Sequence, residues 1–135
     1  MKRLSRIEMV MHLQAVDVFS YCSAEQVVRL AEIGRQRDLS AGEVLYRRGD
    51  PPDVMYCIFD GGMELESDDG NRSLTAPSTF GVREILSDRR RSEDARARQR
   101  TILLAFDAED LFDLLSNNIE IVKALFRRLL TEDDT

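Results

Sequence analysis

The sequence has 135 residues, of which 43% are hydrophobic and 33% are charged, and its formal net charge is −6 at pH 7. This length and composition fit one globular domain, so we predict a single domain over residues 1–135. The acidic balance argues against direct nucleic-acid binding, because neutralising phosphates requires a basic surface. No apolar run approaches the ~20 residues of a membrane span, and no signal-peptide hydrophobic region is present. We therefore expect a cytoplasmic protein.

Side chains able to perform catalysis or bind a metal are scarce. The sequence has one histidine, His12, and two cysteines, Cys22 and Cys57, without a CxxC spacing. Metal sites on strand-rich folds need a cluster of such ligands, and Ser–His–Asp or Cys–His catalysis needs a suitably placed histidine. We expect no metal, no cofactor, no catalytic residue and no enzymatic activity. Two reduced thiols fit a reducing compartment.

The first segment, residues 1–34, is predicted to be helical. Apolar residues recur there at three- and four-residue spacing, which predicts one buried helix face. These residues are Leu4, Ile7, Val10 and Met11. Ser23 followed by Gln26 is typical of a capping box, so a second helix is expected to begin there and to end near Gly34.

Residues 35–106 are predicted to form strands, because short apolar runs alternate there with turn-forming sequences. Four glycines stand where the chain must reverse, and glycine adopts positive φ without steric cost. They are Gly42, Gly49, Gly61 and Gly70. Many short strands with regularly spaced turns favour a sandwich or barrel over a βαβ sheet.

Residues 107–135 are predicted to be helical again. Asp107 is the expected N-cap, and Asn117–Asn118 is expected to break or bend the helix. An apolar stripe runs from Ile121 to Leu130. It can pack on the strands, pair with a second copy as a homodimer, or contact a partner domain of a longer protein, and these alternatives stay open.

Three segments carry a resemblance to a known family: residues 39–50 (LSAGEVLYRRGD), 55–65 (MYCIFDGGMEL) and 101–111 (TILLAFDAEDL). In their order and spacing they resemble the cyclic-nucleotide-binding domain family, the catabolite-activator-like sensor domains. The resemblance implies a mainly β fold, a double-stranded β-helix (jelly roll or β-roll) over residues 35–106, with helices over 1–34 and 107–135. It also implies a regulatory, signal-transduction role in which bound cAMP or cGMP moves the helices.

The family holds its ligand in a phosphate-binding cassette made of Phe-Gly-Glu, a short helix and an arginine. Residues 80–95 (FGVREILSDRRRSEDA) match this cassette in spacing. The resemblance implies that Arg91 is the phosphate arginine, which would make a charge-assisted and bidentate contact. The implied ligand-binding residues are Phe80, Gly81, Val82, Arg83, Glu84, Ile85, Leu86, Arg91 and Ser92.

The cassette also departs from the family pattern. Val82 stands where the family has the glutamate that accepts a ribose hydroxyl, and Arg90 replaces a proline. Glu93 and Asp94 follow the arginine closely, where carboxylates would repel a phosphate. Glu84, two residues after Val82, is a candidate substitute for the missing acceptor.

Two hypotheses follow from these departures. In the first, the domain senses cAMP, cGMP or a related phosphate ligand and couples it to helix movement. In the second, the same fold no longer binds cyclic nucleotide and serves as a protein–protein interaction or structural module, or holds a different anion. The second hypothesis predicts a solvated loop in which the arginines 89–91 pair with Asp88, Glu93 and Asp94.

Overall fold

The computed structural model describes residues 3–133, so residues 1–2 and 134–135 of the predicted domain lie outside the described residues. Two helices come first, α1 (Arg6–Gln14) and α2 (Ala24–Ile33), with a 3-10 turn between them. Strands follow: β1 (Gly34–Leu39), β2 (Val44–Tyr46), β3 (Val54–Asp60), β4 (Gly62–Ser67), β5 (Gly70–Thr75), β6 (Thr79–Phe80), β7 (Asp94–Ala97) and β8 (Thr101–Asp107). Helix α3 (Val82–Ser87) lies between β6 and β7, and α4 (Ala108–Ser116) and α5 (Ile119–Asp133) follow β8.

Within residues 3–133 the strands form two four-stranded antiparallel sheets, ordered β1-β8-β3-β6 and β2-β7-β4-β5. Chain neighbours such as β1 and β2 lie in different sheets, so the chain winds between the two layers. The predicted β-roll, with helices before and after it in the chain, is confirmed.

Strands β3 and β8 are apolar on both faces, because each lies between two hydrophobic layers. Side chains alternate along a strand, so successive residues point to opposite sides. Tyr56 and Ile58 of β3 contribute to the cluster inside the roll. Met55 and Cys57 of the same strand contribute to the cluster shared with the helices. This double burial explains the continuous apolar runs, since a strand with one solvated face would alternate with polar residues.

The helix α1 buries only part of the face predicted, since Val10 packs partly buried against the core. Ile7 and Met11 are 70% and 65% exposed, so their assignment to a buried face is wrong. Leu4 is buried, but it precedes the N-cap Ser5, which forms a capping box with the first turn. Because α1 packs against α2 through the face that carries Leu13, the Ile7–Met11 edge is turned away from the core.

The helix boundaries agree with the sequence signals. Ser23 and Gln26 form the predicted capping box of α2. Gly34 ends α2 with φ −79°, in extended rather than left-handed backbone, because the chain passes directly into β1. A Cβ at Gly34 would lie 3.0 Å from the Phe106 ring, so glycine allows the ring to pack closely there.

The C-terminal stripe is buried in its first half. Helix α4 ends before Asn117 and α5 begins after Asn118, as predicted. Ile121 is fully buried, whereas Phe126 is 60% and Leu130 is 63% exposed. The side chain of Leu129, which belongs to the predicted stripe, lies outside the described residues. None of the helices described for residues 3–133 is long and apolar enough to cross a membrane.

Candidate functional site

Near the start of the cassette lies a glycine whose backbone conformation and surroundings both disfavour a side chain. Phe80 ends β6, and Gly81 then adopts φ 85° before α3 starts. A Cβ at Gly81 would lie 3.0 Å from Arg91 Nη1 and 3.2 Å from the Val54 carbonyl oxygen. The turn therefore brings the first cassette residues against the Arg91 guanidinium.

Arg91 is almost completely buried, with its side chain 2% exposed. Its Nη1 donates to the Gly81 carbonyl at 2.6 Å and to Glu84 Oε1 at 3.1 Å. Its Nη2 donates to the Val54 carbonyl. The guanidinium carbon lies 4.4 Å from the centroid of the Tyr46 ring, a cation–π contact. Its Nε has no hydrogen-bond partner among residues 3–133.

Glu84 is the carboxylate that neutralises Arg91. Its side chain is 12% exposed, and its Oε1 forms the 3.1 Å ion pair with Arg91. Its Oε2 accepts a hydrogen bond from Ser92 Oγ at 3.3 Å. The family resemblance aligns Arg91 with the phosphate arginine, and Ser92 is the predicted ligand-binding residue that follows it. In this chain both of them hold a carboxylate of the chain itself.

A cavity of about 450 Å³ opens beside the cassette. Six of the nine predicted ligand-binding residues line it: Phe80, Gly81, Val82, Arg83, Glu84 and Ser92. The other lining residues come from the cassette end and from neighbouring strands: Tyr46, Ser67, Asp69, Arg72, Thr79 and Glu93.

The remaining three predicted site residues do not line this cavity. Arg91 is 3% exposed and is bound to Glu84, which does line it. Ile85 packs in the cluster between the roll and the helices. Leu86, the next residue of α3, is 70% exposed. The role of all nine residues in ligand binding stays a prediction.

The ion pairs around the cassette differ from the predicted ones. Glu93 pairs with Arg72 of β5 at 3.1 Å, and that hydrogen bond raises the pKa of Arg72. Asp94 accepts the backbone N–H of Arg48 at 2.7 Å. The expected pairing of arginines 89–91 with Asp88, Glu93 and Asp94 is therefore wrong. An arginine of β5 pairs with Glu93, a backbone N–H of the turn after β2 donates to Asp94, and the Arg91 side chain is buried.

The sequence does not predict the aromatic side chains that pack beside Arg91. Tyr46 lies 45 positions before Arg91. The pairing of β2 with β7 (Tyr46 opposite Ala95) and backbone hydrogen bonds of Arg91 with Gly49 and Asp50 bring the two segments together. The Tyr46 ring is 6.3 Å from both Tyr56 and Phe80, centroid to centroid. Burial raises the pKa of Tyr46, with the Arg91 charge opposing, so its hydroxyl stays protonated near neutral pH.

Metal ligands do not converge in the described part of the chain: residues 3–133 hold no group of three or more His, Cys, Asp or Glu side chains placed for a metal ion. His12, in α1, packs its ring 4.8 Å from that of Phe59. Desolvation by burial lowers the pKa of His12, which is the sign expected for a histidine in a packed interface.

Comparison with known proteins agrees with this architecture. The family model "Cyclic nucleotide-binding domain" matches residues 36–118. A candidate potassium channel protein of Rhodopseudomonas palustris is 32% identical over 114 residues, which are 82% of this chain and 28% of that protein. The chain spans 14% to 33% of the length of four curated relatives that it matches.

Two solved structures show the same fold. The N-terminal domain of a transcriptional regulator from Streptomyces coelicolor is 27% identical, with a TM-score of 0.75 over 89% of this chain and 90% of that one. The regulatory subunit of a cAMP-independent protein kinase A from Trypanosoma cruzi, bound to guanosine, is 22% identical. Its TM-score is 0.74 over 87% of this chain and 44% of that one. The chain belongs to the cyclic nucleotide-binding domain family and is a regulatory domain of that type.

Proposed function

We propose that this chain is a non-enzymatic regulatory domain whose phosphate-binding cassette is closed by its own carboxylate, Glu84. The observation that carries the proposal is the contact of the Glu84 carboxylate with both Arg91 and Ser92, at 3.1 Å and 3.3 Å. In this state cAMP and cGMP bind with dissociation constants above about 1 mM.

The energetic reason is competition between two anions. A cyclic phosphate at Arg91 would compete with Glu84, which already accepts hydrogen bonds from Arg91 Nη1 and Ser92 Oγ. Two like charges ~4 Å apart cost about 4 kcal/mol at an effective dielectric near 20. Val82 offers no acceptor for a ribose hydroxyl, which costs roughly 1–3 kcal/mol more if that hydroxyl is buried unpaired. Together these terms amount to several decades of affinity.

A relative supports the proposal. The Trypanosoma cruzi regulatory subunit is described as belonging to a cAMP-independent kinase. A domain with this fold can therefore serve in a regulatory protein that does not depend on cAMP.

A second candidate function is a cyclic-nucleotide sensor, and one observation favours it. Arg91 Nε is buried without a hydrogen-bond partner among residues 3–133, so one guanidinium N–H stays unsatisfied while Glu84 occupies Nη1. A phosphate that displaced Glu84 would shift α3. Ile85 of α3 and Leu111 of α4 belong to the same hydrophobic cluster, which would carry the movement to the helices.

The output is proposed to be a protein contact in the cytoplasm rather than nucleic-acid binding. Phe126 and Leu130 are one helical turn apart on α5, and both are more than half exposed. They offer an apolar edge to a second copy of the chain or to a partner domain, and analytical ultracentrifugation of the purified chain distinguishes the two.

Calorimetric titration of cAMP and cGMP into the wild-type chain tests the proposal. We expect no heat of binding up to about 1 mM ligand. The variant Glu84→Ala should gain binding by at least about tenfold, because it frees Arg91 and removes the competing charge. Glu32→Ala, an exposed carboxylate on α2, is the matched control and should leave the titration unchanged. Micromolar binding by the wild type that Arg91→Ala abolishes would instead establish the sensor.

A further inference from the structure

We propose that α3 and the loop after it form a docking surface for an acidic segment of a partner protein. Three basic side chains and one apolar side chain make up this arginine surface: Arg83, Leu86, Arg89 and Arg90. The inference goes beyond the proposed function, because it does not depend on which anion Arg91 holds. It names the chemistry of the partner that the regulatory domain contacts.

The first argument is a second cavity, of about 330 Å³, which is lined by α3 and the loop that follows it. Six residues line it: Arg83, Glu84, Ser87, Arg89, Arg90 and Ser92. Its three arginines are exposed. The only carboxylate in that lining, Glu84, is already paired with Arg91. The cavity wall therefore has an excess of positive charge, in a chain whose formal net charge is −6.

The second argument is that these arginine side chains have no ion-pair partner within residues 3–133. Arg90 donates to the Gly49 carbonyl at 3.0 Å, and Arg83 and Arg89 form no salt bridge in that part of the chain. Arginines within the strands differ, because each pairs with a carboxylate: Arg35 with Asp107, Arg37 with Glu43, Arg72 with Glu93 and Arg96 with Glu66. The unpaired guanidinium groups are available to carboxylates of another molecule.

The third argument is that the backbone carrying Arg89 and Arg90 is fixed at both ends. The Arg89 N–H donates to the Glu84 carbonyl at 3.0 Å, which holds the loop against α3. The Arg91 N–H donates to the Asp50 carbonyl at 2.9 Å, which holds the loop against the turn after β2. Binding would therefore order side chains but little backbone, which keeps its entropic cost low.

The fourth argument is the apolar side chain beside the arginines. Leu86 is 70% exposed and follows Arg83 by three residues, so the two are neighbours on the surface of α3. A protein segment can cover Leu86 with an apolar side chain while its carboxylates pair with the arginines. A small anion is less favoured, because one exposed ion pair contributes only about 0–1 kcal/mol. Several pairs formed with a single segment add up to a useful affinity.

Fluorescence anisotropy with a short fluorescein-labelled peptide, in which glutamates flank one leucine, tests the inference. We expect the wild-type chain to bind it with a Kd below about 1 mM at low salt, and more weakly at high salt. The double variant Arg83→Glu with Arg89→Glu should bind at least about tenfold more weakly, because two attractions become repulsions. Leu86→Ala should bind about threefold more weakly, because it removes the apolar contact.

The matched control reverses two exposed arginines outside the cavity lining, Arg6→Glu with Arg127→Glu. It changes the net charge equally and should weaken peptide binding by less than about twofold. Melting curves show whether each variant is folded. If the double reversal unfolds the chain, Arg83→Gln with Arg89→Gln gives the same comparison without added negative charge.

Three results would overturn the inference. The first is no peptide binding below about 1 mM. The second is an equal loss of affinity in the control variant. The third is tighter binding of a single-stranded DNA oligonucleotide or of anionic lipid vesicles through the same arginines, which would identify a different class of partner. The titrations of cAMP and cGMP test the proposed function separately, so either proposal can fail while the other stands.

Discussion

The interior of the roll and the cassette are both buried, but they are built from opposite kinds of side chain. The cluster inside the roll consists of apolar and aromatic residues from the strands, such as Ile58, Leu65 and Leu103. The cassette buries a guanidinium and a carboxylate instead, Arg91 and Glu84. Apolar burial is non-directional, whereas a buried charge is stable only with specific partners in good geometry.

This difference determines how each region responds to change. A residue inside the roll is held by many weak contacts, so its loss costs the free energy of burial plus a cavity. Arg91 is held by a few strong contacts from separate segments: β2, β3, the Gly81 turn and α3. The stability of the roll should therefore depend on the volume of its buried side chains. The stability of the cassette should depend on the identity of a few polar atoms.

The largest expected effect is in the roll. Leu103 is fully buried in β8, so Leu103→Ala should lower the free energy of unfolding by about 4 kcal/mol. Leu86→Ala, on the exposed side of α3, is the control and should change it by less than about 0.5 kcal/mol. Urea unfolding monitored by circular dichroism measures both. Equal losses from the two variants would show that the roll interior is not the stabilising core.

The second effect concerns the buried ion pair. Arg91→Ala should cost about 3 kcal/mol, since it leaves Glu84 and two carbonyls without their donor. Arg72→Ala removes the ion pair with Glu93, which is more exposed than the Arg91 pair. It should lower the free energy of unfolding by about 0.5 kcal/mol. Urea unfolding measures both costs. High salt should reduce only the cost of Arg72→Ala, because it screens the more exposed pair. A comparable cost for both variants would contradict the assignment of Arg91 as a buried structural cation.

The smallest expected effect is a difference between substitutions at two glycines that have nearly the same backbone conformation. Gly42 and Gly81 have φ of 84° and 85°, but a Cβ at Gly42 meets nothing within 4 Å, whereas one at Gly81 meets Arg91 Nη1 at 3.0 Å. Gly42→Ala should cost about 1 kcal/mol from the left-handed conformation alone. Gly81→Ala should cost about 1 kcal/mol more, because Arg91 must shift. Thermal unfolding of the two variants measures the difference, and equal melting temperatures would mean that Arg91 moves freely.

Much of the fold could be predicted from local patterns. The capping box at Ser23, the break at Asn117–Asn118 and the glycine turns each depend on residues within a few positions of one another. The face of α1 was not predictable in this way. Its apolar residues occupy more than one face, and only packing against α2 decides that Leu13 is buried and Met11 exposed.

The cassette could be located from the sequence but not understood from it. The spacing from Phe80 to Arg91 identifies the loop, and Glu84 is recognisable there as a candidate acceptor for a ribose hydroxyl. The structure places Glu84 on the phosphate arginine instead. That contact depends on the way α3 turns after Gly81, which no spacing in the sequence encodes.

The sequence by itself determined the order of helices and strands, the positions of the turns and the place of the cassette, because these depend on periodicity and on residues close in the chain. Only the tertiary structure decided which carboxylate neutralises Arg91, and that Arg72 of β5 holds Glu93. The physical reason is that a buried charge takes the partner that folding brings within hydrogen-bond distance. That partner can lie anywhere in the chain, as Tyr46 and Val54 show for Arg91.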